Sequence, residues 1–566
     1  MRRNLNKKSK LEPSRGVVFT TAKSDSARYC STDSSSVAVV KTTTGSGFLG
    51  FDFLFKFLLC ILPLCLFFSY HPVIGLGGNE SMNFELSLPL IWLVLFDIVA
   101  VVLLARRREL FKWVRHGWMW VLLPLWLSLS IVWSLNVTRG VLTAGIMWLI
   151  FVAGYGMWTL RDLLNARYKE KWWKWLIGST LFVCGWCVLQ CILDLVGVSR
   201  ECSLMCEGCT YHMFGFPHPN GFAIEPQFMG NLLLAPILAL IYLLIAKTNM
   251  PRVFSSVTRG EKLSALRKKS SNNSGDNFSP VALRLYSSKT LGILVFIMIT
   301  VLFLTFSRGA IYAFVVGMVV MSVVMVVREK KSRSKVAKRV GIVWGIMVVA
   351  FVVALNVQGL MAQVSRTDDT YVTGVTKVLN HLSLGVIDVR GDASDAKEQE
   401  VSGEVEEGDL VVENSVENLV DKDEEKSAFD GYVAESTDTR LRLTGAALEV
   451  WSKDFKTAMV GVGIGGAGFA LYNNGLSPAP KEIVQNEYAS LLLESGIVGV
   501  LLTGILLVLV IRMVWRNGNV MVMALLVAYG VTLFFFSGLP NALQIYLMPV
   551  VLMVMCSRVK KQRFKQ

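Results

Sequence analysis

Arg308 stands in the run Thr305-Phe306-Ser307-Arg308-Gly309, a lone guanidinium between two long apolar segments. A charge at membrane depth costs several kcal/mol unless it lies at an interface or faces a polar cavity, which makes it a functional candidate. The short Ser-Arg-Gly link turns two spanning helices back on themselves, so whatever Arg308 binds lies at one membrane face. Two more guanidiniums, Arg440 and Arg442, open a segment in which Leu441, Leu443, Ala447, Leu448 and Trp451 recur mostly three to four residues apart, the spacing of an amphipathic helix. Such a helix is expected to lie along the membrane surface. Its first N–H groups already favour anions, and two neighbouring arginines strengthen that bias.

Three further groups of residues could do chemistry. The run Val460-Gly461-Val462-Gly463-Ile464-Gly465-Gly466-Ala467-Gly468-Phe469 permits positive φ and close backbone approach, as a phosphate or sugar cradle would need. Its letters resemble a dinucleotide fingerprint, but no strand–helix–strand context accompanies them, and that reading is rejected. After it comes Val484-Gln485-Asn486-Glu487-Tyr488, leading into another apolar stretch. Cys202, Cys206 and Cys209, with His212 nearby, suit a disulfide or a zinc site, and an oxidising exterior favours the disulfide. The cysteines on apolar stretches read as small core residues.

The elements that position these residues are membrane helices. The chain has 566 residues, 53% hydrophobic and 17% charged, which places it among polytopic membrane proteins. Twelve apolar stretches are expected to span: near Phe51–Tyr70, Leu86–Ala105, Trp118–Leu135, Val141–Leu160, Trp175–Gly197, Phe228–Ala246, Leu291–Phe306, Ala310–Val327, Val340–Asn356, Ala489–Ile511, Val520–Ser537 and Ile545–Cys556, the last short enough to be re-entrant. The fold class is therefore all-α. The net charge of +15 is distributed by topology: 42 of the 57 Lys and Arg fall in alternate segments, against 3 in the short opposite loops. The positive-inside rule then puts both ends in the cytoplasm, with the basic excess attracted to anionic membrane lipids and no nucleic-acid partner.

Residues 1–46 read as a disordered basic cytoplasmic arm, 47–356 as spans one to nine, 357–488 as one large extracytoplasmic loop, 489–557 as spans ten to twelve and 558–566 as a cytoplasmic tail. The first apolar stretch starts too late for a cleavable signal and is expected to remain as a span. Within the large loop, Asp388 to Asp438 carries 18 Asp or Glu against 4 Lys or Arg and reads as a solvated, disordered insert. A plain spacer is the simpler role for it, and an acidic flap that steers substrate the sharper one.

Four pieces, in this order and spacing, resemble the O-antigen ligase and polymerase family: Thr305–Gly309, the Arg440/Arg442 helix, the Gly461–Gly465 turn, and Gln485-Asn486-Glu487-Tyr488 through Glu494-Ser495-Gly496. The likeness is good over Leu291 to Leu507 and rests on hydropathy alone before that. It implies a metal-independent glycosyltransferase without cofactor in a bacterial cytoplasmic membrane. Such an enzyme moves glycan from an undecaprenyl-diphosphate carrier to the hydroxyl of a glycan or lipid-glycan acceptor. By position, Arg308 and Arg442 match the arginines the family uses for the donor diphosphate, with Arg440 as companion and Asn486 in the substrate site.

Two departures matter. The family's ligases commonly carry histidine where this chain has Gln485, which cannot take up a proton near neutral pH and can only position or hydrogen-bond. That shifts the expectation toward a polymerase or another glycan acceptor. If a general base is required, Glu487 is the nearest carboxylate and Glu225, in Phe222-Ala223-Ile224-Glu225-Pro226, the second; His218 and His212 share the latter's loop. The plainer role for Glu487 and Glu494 is helix capping or pairing with arginines. The segment Phe214-Gly215-Phe216-Pro217-His218-Pro219-Asn220-Gly221 also resembles the family's loop before the sixth span but lacks the arginine often found upstream. The rival reading is a secondary transporter or a flippase for lipid-linked oligosaccharide. Against it, the charged candidates gather at one face, and the large outer loop interrupts the second half asymmetrically.

Overall fold

The computed structural model describes residues 47–69, 73–79, 82–112, 117–196, 210–211, 216–246, 287–329, 332–365, 370–383, 439–480, 483–536 and 542–557. The N-terminal arm, Cys202, Cys206, Cys209, His212, the acidic insert and the C-terminal tail lie outside these residues. In chain order the helices are α1 (Gly47–Phe67), α2 (Leu88–Arg106), α3 (Leu122–Ser130), α4 (Val137–Thr159), α5 (Ala166–Leu195), α6 (Pro226–Ala246), α7 (Ser288–Leu304), α8 (Arg308–Arg328), α9 (Arg333–Val364), α10 (Tyr371–Leu382), α11 (439–452), α12 (Phe455–Val460), α13 (Ala467–Asn473), α14 (Glu487–Arg516), α15 (Val520–Thr532) and α16 (Leu543–Cys556). Two short antiparallel hairpins, Val73–Asn79 with Met82–Ser87 and Thr210–Tyr211 with His218–Pro219, are the sheet structure among the described residues.

Every apolar stretch expected to span falls on helix. Among the described residues, eight helices (α1, α2, α4, α5, α6, α8, α9 and α14) are long and apolar enough to cross a membrane, while α7, α15, α16 and the Trp118–Trp133 segment around α3 are shorter. The protein is thus an all-α polytopic membrane protein. Helix α6 has no polar face, and a helix apolar all round belongs inside a bundle; 89% of its spanning window is buried.

Small residues bring the neighbours close to α6 and α8. A Cβ at Gly230 of α6 would lie 2.8 Å from the Cβ of Ala310 and 2.9 Å from that of Ser307, and one at Gly317 of α8 would lie 3.1 Å from the Cβ of Ala528 on α15. Small residues that let helix backbones approach are the usual packing device where lipid removes the hydrophobic drive.

The opposite end of the bundle is tied by Lys169 of α5. It is 1% exposed and donates its Nζ to the carbonyls of Val554 (3.0 Å) and Ser557 (2.6 Å), closing the C-terminus of α16. Lys169→Met should take the ammonium away from both carbonyls, of which Val554 keeps its bonds from the Ser557 N–H and hydroxyl, and lower stability by roughly 1–3 kcal/mol, seen as a lower melting temperature in detergent.

Candidate functional site

The Thr-Phe-Ser-Arg-Gly run is a helix stop followed at once by a helix start. The Thr305 hydroxyl donates to the carbonyl of Leu302 (2.7 Å), ending α7. Phe306 takes φ 54°, uncommon for a residue with a side chain, and reverses the chain. Ser307 caps α8 by accepting from the N–H of Ala310 (3.3 Å), so Arg308 becomes the first helical residue. Gly309 is glycine because a Cβ there would sit 2.8 Å from the Cβ of Phe535. Arg308 is consequently held at a helix N-terminus, 7% exposed.

Arg440 gathers the second part of the site. Its Nε donates to Oε1 of Gln485 (2.8 Å) and its Nη2 to Oε1 of Gln227 (3.3 Å). Gln227 is fixed in turn by donating to the carbonyl of Phe535 (2.9 Å), and the N–H of Glu487 donates to the carbonyl of Leu533 (2.9 Å). The turn after α15 therefore positions both α6's first residues and the Gln485–Glu487 segment. Part of Glu225 reaches solvent, yet crowding by protein raises its carboxyl above the ordinary carboxylate value, while the Arg440 charge pulls it back.

Two buried histidines meet at Phe306, two residues before Arg308. His381, at the end of α10, places its Nε2 3.4 Å from the Phe306 carbonyl, and His218 packs its ring 4.5 Å from the Phe306 ring. Burial first, then the charges of Arg308, His218 and Arg440, push the His381 imidazole down to about 3, keeping it neutral. Arg308 and Arg440 thus both bear on one imidazole. Because the folded value lies below the unfolded value of 6.5, the unfolded chain takes up this proton first as pH falls. The stability tied to His381 is whole above pH 6.5 and drains away toward about 3. Thermal melts should show a smaller loss between neutral and mildly acidic pH for His381→Gln than for the wild type.

Residues 293–503 match the family model described as O-antigen ligase. The chain carries an O-antigen ligase domain. No curated protein and no solved structure matches the chain. The O-antigen ligase domain takes in Arg308, Arg440, Arg442 and the Gln485–Glu487 segment, while Glu225, Gln227 and His218 come from the chain before it. A glycan ligase- or polymerase-like role of the glycosyltransferase type follows from the domain.

Not every candidate in the O-antigen ligase domain lies with this group. Arg442 is exposed; residues two apart on a helix point about 200° away from each other, so it cannot share Arg440's direction. Asn486 caps α14, accepting from the N–H groups of Tyr488 (3.1 Å) and Ala489 (3.3 Å). Glu487 follows as the first helical residue, half-buried.

The apolar face of α11 is not left for the membrane surface. Leu443, Ala446, Ala447 and Val450 pack into a small core with Ala467, Leu471, Val484 and Leu493, leaving Leu441 and Leu448 exposed.

The glycine run of the O-antigen ligase domain serves chain-to-chain contact. Gly461, Gly463 and Gly465 have φ of 73°, 88° and 78°, as their type allows. What they approach is protein: a Cβ at Gly463 would meet the Cα of Ser134 at 2.4 Å, and one at Gly461 the carbonyl carbon of Glu494 at 2.4 Å. The N–H donors are occupied as well. Val462 and Gly463 donate to the carbonyls of Leu493 (2.9 Å) and Glu494 (3.0 Å), Ile464 to Oγ of Ser130 (3.2 Å), and Ala467 to the Glu494 carboxylate (3.4 Å), toward which the Gly465 N–H also points. The anion in this nest is the chain's own Glu494, so the cradle expected for phosphate or sugar is already filled.

Sequence reasoning missed Gln227 and His381. Pro226 marks the start of α6 and so places Gln227 in its first turn, but nothing local pairs it with Arg440. Thr370, which caps α10 by accepting from the N–H of Thr373 (3.1 Å), and the strong amphipathic pattern behind it could have located His381's helix.

Proposed function

We propose that this protein transfers or polymerises glycan from an undecaprenyl-diphosphate carrier onto an acceptor hydroxyl at the outer face of a bacterial cytoplasmic membrane. The observation that carries the reading is the link between the two arginines through Phe535: Gly309, next to Arg308, packs against its side chain, and its carbonyl holds Gln227, which with Gln485 accepts from Arg440. Diphosphate is the leaving group. Guanidinium forks give charge-assisted hydrogen bonds where its negative charge develops, in a site already shaped by packing.

In this reading the acceptor oxygen attacks the anomeric carbon, the carbon–oxygen bond to the diphosphate breaks, and the lipid diphosphate departs with the bonding pair. The hydroxyl proton needs a base, and Gln485 cannot serve. Glu225 and Glu487 are the carboxylates on either side; Glu225, its proton affinity raised by crowding, is the better matched to the task. Gln485, held by Arg440, then orients rather than deprotonates the acceptor, and Asn486 holds the start of α14 beside it. Arg442, matched by resemblance, approaches the donor from the exposed side of α11.

Labelled repeat unit on its lipid carrier, followed by sizing of the product, separates the two forms of the reaction. With Gln485 in place of a histidine, a ladder of products is expected. A single adduct on a distinct glycolipid acceptor would assign ligation instead, and unchanged carrier that merely crosses the membrane would favour the flippase reading.

A further inference from the structure

Taking the diphosphate reading of Arg308 as its basis, we infer that His381 is a positioning residue of the transfer site: carried in by α10, it holds the Phe306 carbonyl and so fixes the turn that presents Arg308. Phe306 occupies a left-handed backbone conformation with φ 54°, which persists only where surroundings over-determine it. The His218 ring lies 4.5 Å and the Phe216 ring 6.2 Å from the Phe306 ring, and His381 meets it edge-on at 6.2 Å while its Nε2 faces the Phe306 carbonyl at 3.4 Å.

The helix that brings His381 is docked firmly. A Cβ at Gly359 of α9 would stand 2.6 Å from the Tyr371 ring, and one at Gly374 of α10 would stand 2.4 Å from the Cβ of Ala362, so α10 lies against α9 with no room between them. At its other end the Tyr312 hydroxyl, one turn into α8 beyond Arg308, donates to the carbonyl of Leu382, the neighbour of His381. Helix α10 therefore straps the outer end of α9 to the start of α8, with His381 at the buckle. A neutral imidazole is the side chain this place accepts: it supplies a hydrogen bond to the Phe306 carbonyl without adding a positive charge to the field of Arg308 and Arg440, a state its lowered proton affinity secures.

The test uses the purified full chain in phospholipid vesicles with lipid-linked oligosaccharide as donor, and reads release of the lipid diphosphate per folded molecule. His381→Ala should lower kcat/KM for the donor about 10- to 100-fold, the scale of a misplaced binding group, with KM for the acceptor unchanged. His381→Gln, whose amide nitrogen can reach the place of Nε2, should recover most of the loss. Arg308→Ala serves as reference. If it abolishes release while His381→Ala matches the wild type, or if Gln does no better than Ala at equal folded fraction, His381 is not a positioning residue. If Arg308→Ala releases lipid diphosphate as fast as the wild type, the diphosphate reading itself falls and this inference falls with it.

Discussion

Arg308→Ala is expected to cut kcat/KM for consumption of the lipid-linked donor by about 100- to 1000-fold, the cost of removing one preorganised donor to a developing oxyanion. The effect should be this large because the side chain is already in place: Ser307 caps the helix beneath it, Phe535 seals one side through Gly309, and Arg308 is 7% exposed. Little reorganisation remains for the ligand to drive. Arg308→Lys should recover only a small part of the loss, since an ammonium keeps the charge but not the planar fork that grips two phosphate oxygens.

Arg440→Ala should follow closely, because it also takes the guanidinium donor away from the Oε1 atoms of Gln485 and Gln227. Arg442→Ala should cost less, in keeping with its exposed position. Steady-state kinetics on the purified variants orders the three. An Arg442 effect equal to that of Arg308 would move the diphosphate to the outer side of α11.

Gly463→Ala should act on the fold rather than on the chemistry. At φ 88° a side chain is strained in any surroundings, and the new Cβ would stand 2.4 Å from the Cα and 2.7 Å from the nitrogen of Ser134, atoms of another backbone segment. Left-handed strain of about 1–2 kcal/mol adds to an overpacking cost of about 1–3 kcal/mol. The corner of α3 and α4 would have to move away from the glycine loop, and the hydrogen bonds to Ser130 and from Ser134 to the Ile464 carbonyl (2.8 Å) would go with it. The expected outcome is a lowered melting temperature and a reduced monodisperse yield. Donor affinity per folded molecule should change far less, because the loop's donors are aimed at Glu494 rather than at a ligand. A variant that melts like the wild type but no longer binds donor would restore the cradle reading of this run.

Much of this architecture was legible in the residues because its causes are local. Apolar length and the placement of basic clusters give membrane helices, and each expected stretch is helical. Thr305–Gly309 reads as a turn with a charge at its tip because a hydroxyl cap and a glycine act within a few residues of one another. The positive φ of Gly461, Gly463 and Gly465 follows equally from their type.

What those glycines face was not legible, since the partners of Ile464 lie 334 positions earlier at Ser130 and 330 earlier at Ser134, and Gly461 meets the backbone of Glu494 and Ser495 beside the kink at Gly496, whose φ is 63°.

 Local pattern carries no information across such distances. The same holds for His381, which meets Phe306 across 75 positions, and for the face α11 buries: its spacing shows an apolar side, but only tertiary packing decides whether lipid or protein covers it. Arg440 and Arg442 looked equivalent in the sequence because both precede the same apolar pattern. Helix geometry separates them, and Gln485 and Gln227 select Arg440.

The most direct test of the central claim is to incubate the purified protein with lipid-linked oligosaccharide and acceptor glycan and to follow lipid and sugar in the same reaction. The account predicts that released lipid diphosphate and newly linked sugar appear in equal amounts, and that both vanish together in Arg308→Ala. Donor that stays intact on its carrier while the protein is folded, or sugar transfer that proceeds unchanged without Arg308, would contradict it.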